Sequence, residues 1–87
     1  MNSLILVKMK NVNYNEWKKL FDQDSEAQSK MMKNTIIGKI DDNSAMICTE
    51  VTNQDMVNEF MTSENFKKME EDLGLTHEVY KLEKINN

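Results

Sequence analysis

His77 is the only histidine in this 87-residue chain, and an imidazole titrating near neutrality can shuttle a proton or sense pH. Its neighbours Thr76 and Glu78 argue instead for the solvated start of a strand, which is the plainer expectation. Asp24 and Gln28 form a sharper anomaly. Both fall on the otherwise apolar face of a helical repeat, where a buried carboxylate would have a raised pKa and could act as a general base or hold a donor on a ligand. The competing reading, a helix end that overhangs the sheet and leaves both side chains in water, is the expected one.

Flat and adaptable apolar side chains surround these groups in the sequence. Tyr14, Trp17, Phe21, Phe60 and Phe66 could frame an aromatic ligand, although such a stripe at helical spacing is ordinarily core. The eight methionines, Met31, Met32, Met56, Met61 and Met69 among them, suit an adaptable pocket wall and an adaptable core equally. Cys48 has no sequence neighbour that would lower its pKa and reads as a small buried hydrophobe. Glycine-rich phosphate loops and Ser-His-Asp spacing are absent.

Composition narrows the class of function. Hydrophobic residues at 39% and charged residues at 30% fit a globular domain, and residues 1–87 are expected to form a single one, since no proline, glycine-rich or single-sign linker divides them. A net charge of -4, with lysine as the only strong cation, lacks the bidentate arginine donors that phosphate and guanine recognition favour, so nucleic acid is not an expected partner. One cysteine rules out an internal disulfide and a paired-cysteine metal site, so a reducing cytoplasm is the expected location and no metal or other cofactor is expected. The run Leu4-Ile5-Leu6-Val7 is too short for a signal or a membrane span, so no membrane is expected either.

The elements that must position these groups follow from periodicity. Ser3 to Met9 reads as a strand apolar on both faces. From an N-cap at Asn13, the spacing of Tyr14, Trp17, Leu20, Phe21, Asp24, Ala27, Gln28 and Met31 predicts one helix. Thr35 to Ile40 and Ala45 to Val51 read as strands joined by Asp41-Asp42-Asn43-Ser44. Thr52 and Asp55 have capping-box spacing and open a second helix, recapped at Ser63 and stopped at Gly74, before a last strand from Thr76 to Ile85. The order is βαββαβ, a ferredoxin-like α+β fold with a four-stranded antiparallel sheet and two helices on one face.

Two helices can shelter only one side of that sheet. With Ile5, Val7, Met9, Ile36, Ile40, Ile47, Val51, Tyr80 and Leu82 assigned to the helix side, the other side holds Leu4, Leu6, Ile37, Met46, Cys48 and Val79 among Lys8, Lys39, Glu50 and His77. That is a large apolar patch for a monomer, so a homodimer joined through the sheet face is expected.

Trp17 with Phe21, Ile37-Gly38, Asp41-Asp42-Asn43, Glu50-Val51 and Phe60-Met61-Thr62-Ser63-Glu64-Asn65-Phe66 with Gly74 together resemble the dimeric α+β barrel superfamily. The likeness is strongest to small bacterial members related to antibiotic-biosynthesis monooxygenases. The superfamily includes cofactor-independent oxygenases, haem-degrading enzymes, lactone isomerases and effector-binding domains, and it commonly places a pocket between helices and sheet. Asn11 resembles the active-site asparagine of the haem-degrading branch, but Phe60 and Glu70 stand where that branch carries a tryptophan and a haem-ligating histidine, so the resemblance brings no haem site with it. The apolar, methionine- and aromatic-rich helix-facing side, with no convincing catalytic set, leads to the expectation of a homodimer that binds a small apolar or aromatic molecule, with Asn11, Trp17, Phe21, Asp24, Phe60, Met69, His77 and Tyr80 as candidate pocket residues. The alternatives are a cofactor-independent monooxygenase or isomerase acting on an aromatic or quinone-like substrate, and a structural dimer without ligand.

Overall fold

The computed structural model describes residues 1–83 and 85. Its elements are β1 (Ser3–Met9), α1 (Tyr14–Gln23), α2 (Ser25–Ser29), β2 (Met32–Asp41), β3 (Ser44–Val51), α3 (Gln54–Thr62), α4 (Glu64–Leu73) and β4 (Leu75–Lys81). The strands form one antiparallel sheet in the order β2-β3-β1-β4, the ferredoxin-like arrangement with each helical crossover split in two. Among the described residues no helix is long and apolar enough to cross a membrane.

Local chemistry sets the helix boundaries. Asn13 caps α1 through a complete capping box, its Oδ1 accepting from Glu16 N while Glu16 Oε1 accepts from Asn13 N. The single helix expected over residues 14–31 breaks at Asp24, because the Gln28 amide donates to Phe21 O at 2.8 Å and satisfies a carbonyl that a continuing helix would have used. Asn53, not Thr52 with Asp55, caps α3, accepting from Met56 N at 3.1 Å. Ser63 recaps α4 as expected, and Gly74 ends it in the left-handed conformation at φ 65°.

Two strands face the opposite way from the expectation. β2 starts at Met32 and carries an extra residue between Lys33 and Ile36, where Asn34 adopts φ 55°. This one-residue bulge reverses the side chains that follow, up to a second register shift between Lys39 and Asp41, so Ile37 turns toward the helices while Ile36 and Ile40 turn away, 56% and 55% exposed. β4 starts directly after Gly74 with the buried Leu75, so alternation puts His77 opposite Val7 on the helix side and Tyr80 opposite Leu4 on the other. Leu82 follows the strand and is exposed, Lys84 lies outside the described residues, and Ile85 is fully exposed.

The core lies between helices and sheet. Val7, Met9, Ala45, Ile47 and Leu75 meet Trp17 in one cluster, and Met31, Met32 and Val57 form a second, with Phe21 packed against both. Across the sheet, Leu4, Leu6, Met46 and Cys48 are only half-buried and adjoin the exposed Ile36, Ile40 and Tyr80.

Candidate functional site

A cavity of about 80 Å³ lies between the helices and the sheet. Three helices supply its aromatic wall. The cap at Asn13 fixes the entry of α1, and positions three and four residues apart then bring Tyr14, Trp17 and Phe21 into a tilted row with ring centroids 6.0 and 5.2 Å apart. The restart at Ser63 aims α4 so that Phe66 packs against Phe60 of α3 at 5.1 Å, with Met69 one turn further on. Ile5, Ile47 and His77 close the sheet side, and Met31, Met32 and Met61 complete the wall with unbranched, easily rearranged side chains.

His77 is the polar centre of this wall. Its Nδ1 lies 2.8 Å from Glu70 Oε2, with the His77 side chain 9% exposed and that of Glu70 29% exposed. The turn at Gly74 folds β4 back against α4, which brings a residue four before the glycine to one three after it. Phe66 packs against the imidazole with ring centroids 5.0 Å apart and planes tilted by 41°. An ionised Glu70 only accepts, so Nδ1 carries the hydrogen of this bond and the neutral ring keeps its lone pair on Nε2. Nε2 has no hydrogen-bond partner among the described residues, and the ring borders the cavity.

Of the residues singled out in the sequence, Trp17, Phe21, Asp24, Phe60, Met69 and His77 border the cavity. His77 is not at a solvated strand start, because Leu75 rather than Thr76 opens β4 and sets the alternation. Asp24 is itself exposed and stands at the break between α1 and α2, while the half-buried Gln28 spends its amide on Phe21 O. Asn11 lies away from the cavity. Its Nδ2 donates to Asp72 O at 3.1 Å and its backbone N–H to Leu73 O at 3.0 Å, so it caps the end of α4. Tyr80 is also apart, on the open face of the sheet, where its hydroxyl donates to Glu78; that hydrogen bond and the adjacent negative charge raise its pKa. Glu70 is the functional neighbour that the sequence reading did not pair with His77. Its signal was a carboxylate and an imidazole straddling a helix-stop glycine, a spacing that acquires meaning only once the strand direction is known.

Among the described residues, no group of three or more His, Cys, Asp or Glu side chains is placed to hold a metal ion. No protein-family model and no curated protein matches the sequence. Among solved structures, the chain is similar to SnoaB, a cofactor-independent oxygenase from Streptomyces nogalater, with a TM-score of 0.62 and 11% identity over 97% of this chain and 93% of that one. This likeness bears out, at the level of the fold, the family resemblance read from the sequence.

Proposed function

We propose that the protein binds a small apolar or aromatic molecule in the cavity between its helices and sheet. The observation that carries this reading is the wall itself, in which Trp17, Phe21, Phe60 and Phe66 surround the space together with four methionines and one oriented imidazole. An apolar cavity of roughly 150 Å³ is enough to hold benzene. The space here is about 80 Å³, so a ligand of that size needs one of the flexible methionines that line it, such as Met61 or Met69, to change rotamer. Thermal-shift titration with benzene, toluene and indole tests the reading. A saturable rise in melting temperature is expected, and no shift up to the solubility limit of all three contradicts it.

The same proposal includes a homodimer through the open sheet face. The chain exposes 6141 Å², whereas a monomer of its 10.2 kDa mass exposes about 5,300 Å². Part of that excess belongs to C-terminal residues such as Ile85, and the whole is of the order of the ~800 Å² that a typical interface covers on each partner. Ile36, Ile40, Leu4, Leu6 and Met46 supply an apolar centre, and the Lys33–Glu50 pair at 3.1 Å stands at its margin. Sedimentation should give about twice the chain mass, and Ile36→Lys with Ile40→Lys should give a monomer; a wild-type monomer at high micromolar concentration contradicts this part.

A second reading, a cofactor-independent oxygenase or isomerase, is favoured by one observation, the Glu70-supported His77 at an apolar wall. A base there can take a proton from an aromatic or quinone-like substrate and leave it electron-rich, a starting point for direct reaction with dioxygen, and SnoaB is an oxygenase of the cofactor-independent kind. Oxygen uptake with a hydroquinone, suppressed in His77→Gln, would support it, and uptake unchanged in that variant would remove it.

A further inference from the structure

The pairing of His77 with Glu70 narrows the chemistry of the ligand. We propose that His77 Nε2 accepts a hydrogen bond from an apolar ligand carrying one donor, a hydroxyl or N–H on an aromatic ring, and that Glu70 is the positioning residue that holds the imidazole in the required tautomer. The inference rests on the reading that the cavity binds a small apolar molecule.

Three observations carry it. The side chains with polar groups bordering the cavity are Asp24, Gln28, His77 and Trp17, whose indole N–H can only donate. Asp24 is exposed, and the Gln28 amide is already bonded to Phe21 O, so neither presents a buried and available group. The His77 side chain is only 9% exposed, its Nδ1 is committed to Glu70, and Nε2 is left to pair with something else. A hydrocarbon seated against that nitrogen strips it of water and gives nothing back, whereas a donor restores the bond. The site therefore prefers a phenol or an indole to a hydrocarbon of the same shape.

Phenol and toluene differ mainly by that donor. With each ligand titrated into wild type, His77→Phe and Glu70→Gln, the expected result is a preference for phenol that falls about fivefold to tenfold in His77→Phe, with toluene still bound. In Glu70→Gln the loss is smaller, because the carboxamide can pair with either tautomer. Binding of both ligands with the same relative affinities in all three proteins overturns this proposal and leaves the cavity reading standing. Binding of neither ligand to wild type removes both. A readout independent of the variants comes from the single histidine. Long-range proton–nitrogen NMR of wild type should show the hydrogen of the neutral ring on Nδ1 and a shift of Nε2 with phenol but not toluene, with a tautomer mixture in Glu70→Gln. A wild-type ring protonated at Nε2 overturns the proposal whatever the variants do.

Discussion

Phe66→Ala is the perturbation that probes the cavity wall most severely. The ring is 8% exposed and sits between Phe60 at 5.1 Å and His77 at 5.0 Å. Buried Phe→Ala changes cost about 3–5 kcal/mol, and a domain of this length has about 4–13 kcal/mol in all. With a urea m-value near 1 kcal/mol per molar, typical of a small domain, the unfolding midpoint should fall by about 3–5 M at fixed protein concentration. The space vacated is the size of a benzene ring and is continuous with the existing 80 Å³, so benzene should restore stability. At a hundred times its dissociation constant the gain is about 2.7 kcal/mol. Phe66→Leu, which removes fewer atoms, should cost about 1–2 kcal/mol and guards against a variant too unstable to measure. A loss below about 1 kcal/mol in Phe66→Ala, or a midpoint indifferent to benzene, would refute the packing around His77 described above.

Other consequences follow from single features of the backbone and hairpin. Gly74→Ala places a Cβ 2.7 Å from Lys10 Cβ in a left-handed conformation, so a loss of about 2 kcal/mol or more is expected in thermal unfolding. Asn34→Gly should leave stability within about 0.5 kcal/mol, whereas Asn34→Val should lose about 1–2 kcal/mol, because only the glycine tolerates φ 55°. At the hairpin tip the Ser44 hydroxyl, foremost, and the Asn43 N–H bond the Asp41 carboxylate and lower its pKa from 3.8. A folded-state pKa below the unfolded one adds stability above about 3.8 that is lost as pH falls through the folded value, so wild type and Asp41→Asn should converge in melting temperature as the solution is acidified from about pH 5 to about pH 2.

Features set by short-range chemistry were legible in the sequence. The cap at Asn13, the restart at Ser63 and the stop at Gly74 each depend on a few neighbouring residues, and each is found where its residue type demands. Facing was less legible because it accumulates along a strand. One extra residue at Asn34 reverses Ile36, Ile37 and Ile40, and in β4 the pairing of Leu75 with Met9 puts His77 rather than Tyr80 on the helix side. The aromatic part of the site survives these reversals because it lies on helices, where Trp17, Phe21 and Phe60 keep their side regardless of sheet register. The Glu70–His77 contact depended on the strand, and Asn11 was drawn away by a backbone carbonyl at Asp72 that no pattern of side chains reveals.

The methionines allow the binding reading to be tested at many points in one spectrum. With methyl-labelled methionine, titration of indole should move the resonances of Met31, Met32, Met61 and Met69, which border the cavity, and leave that of Met46 on the opposite sheet face in place. Shifts confined to Met46, or no shifts at all, would contradict an apolar ligand site between the helices and the sheet.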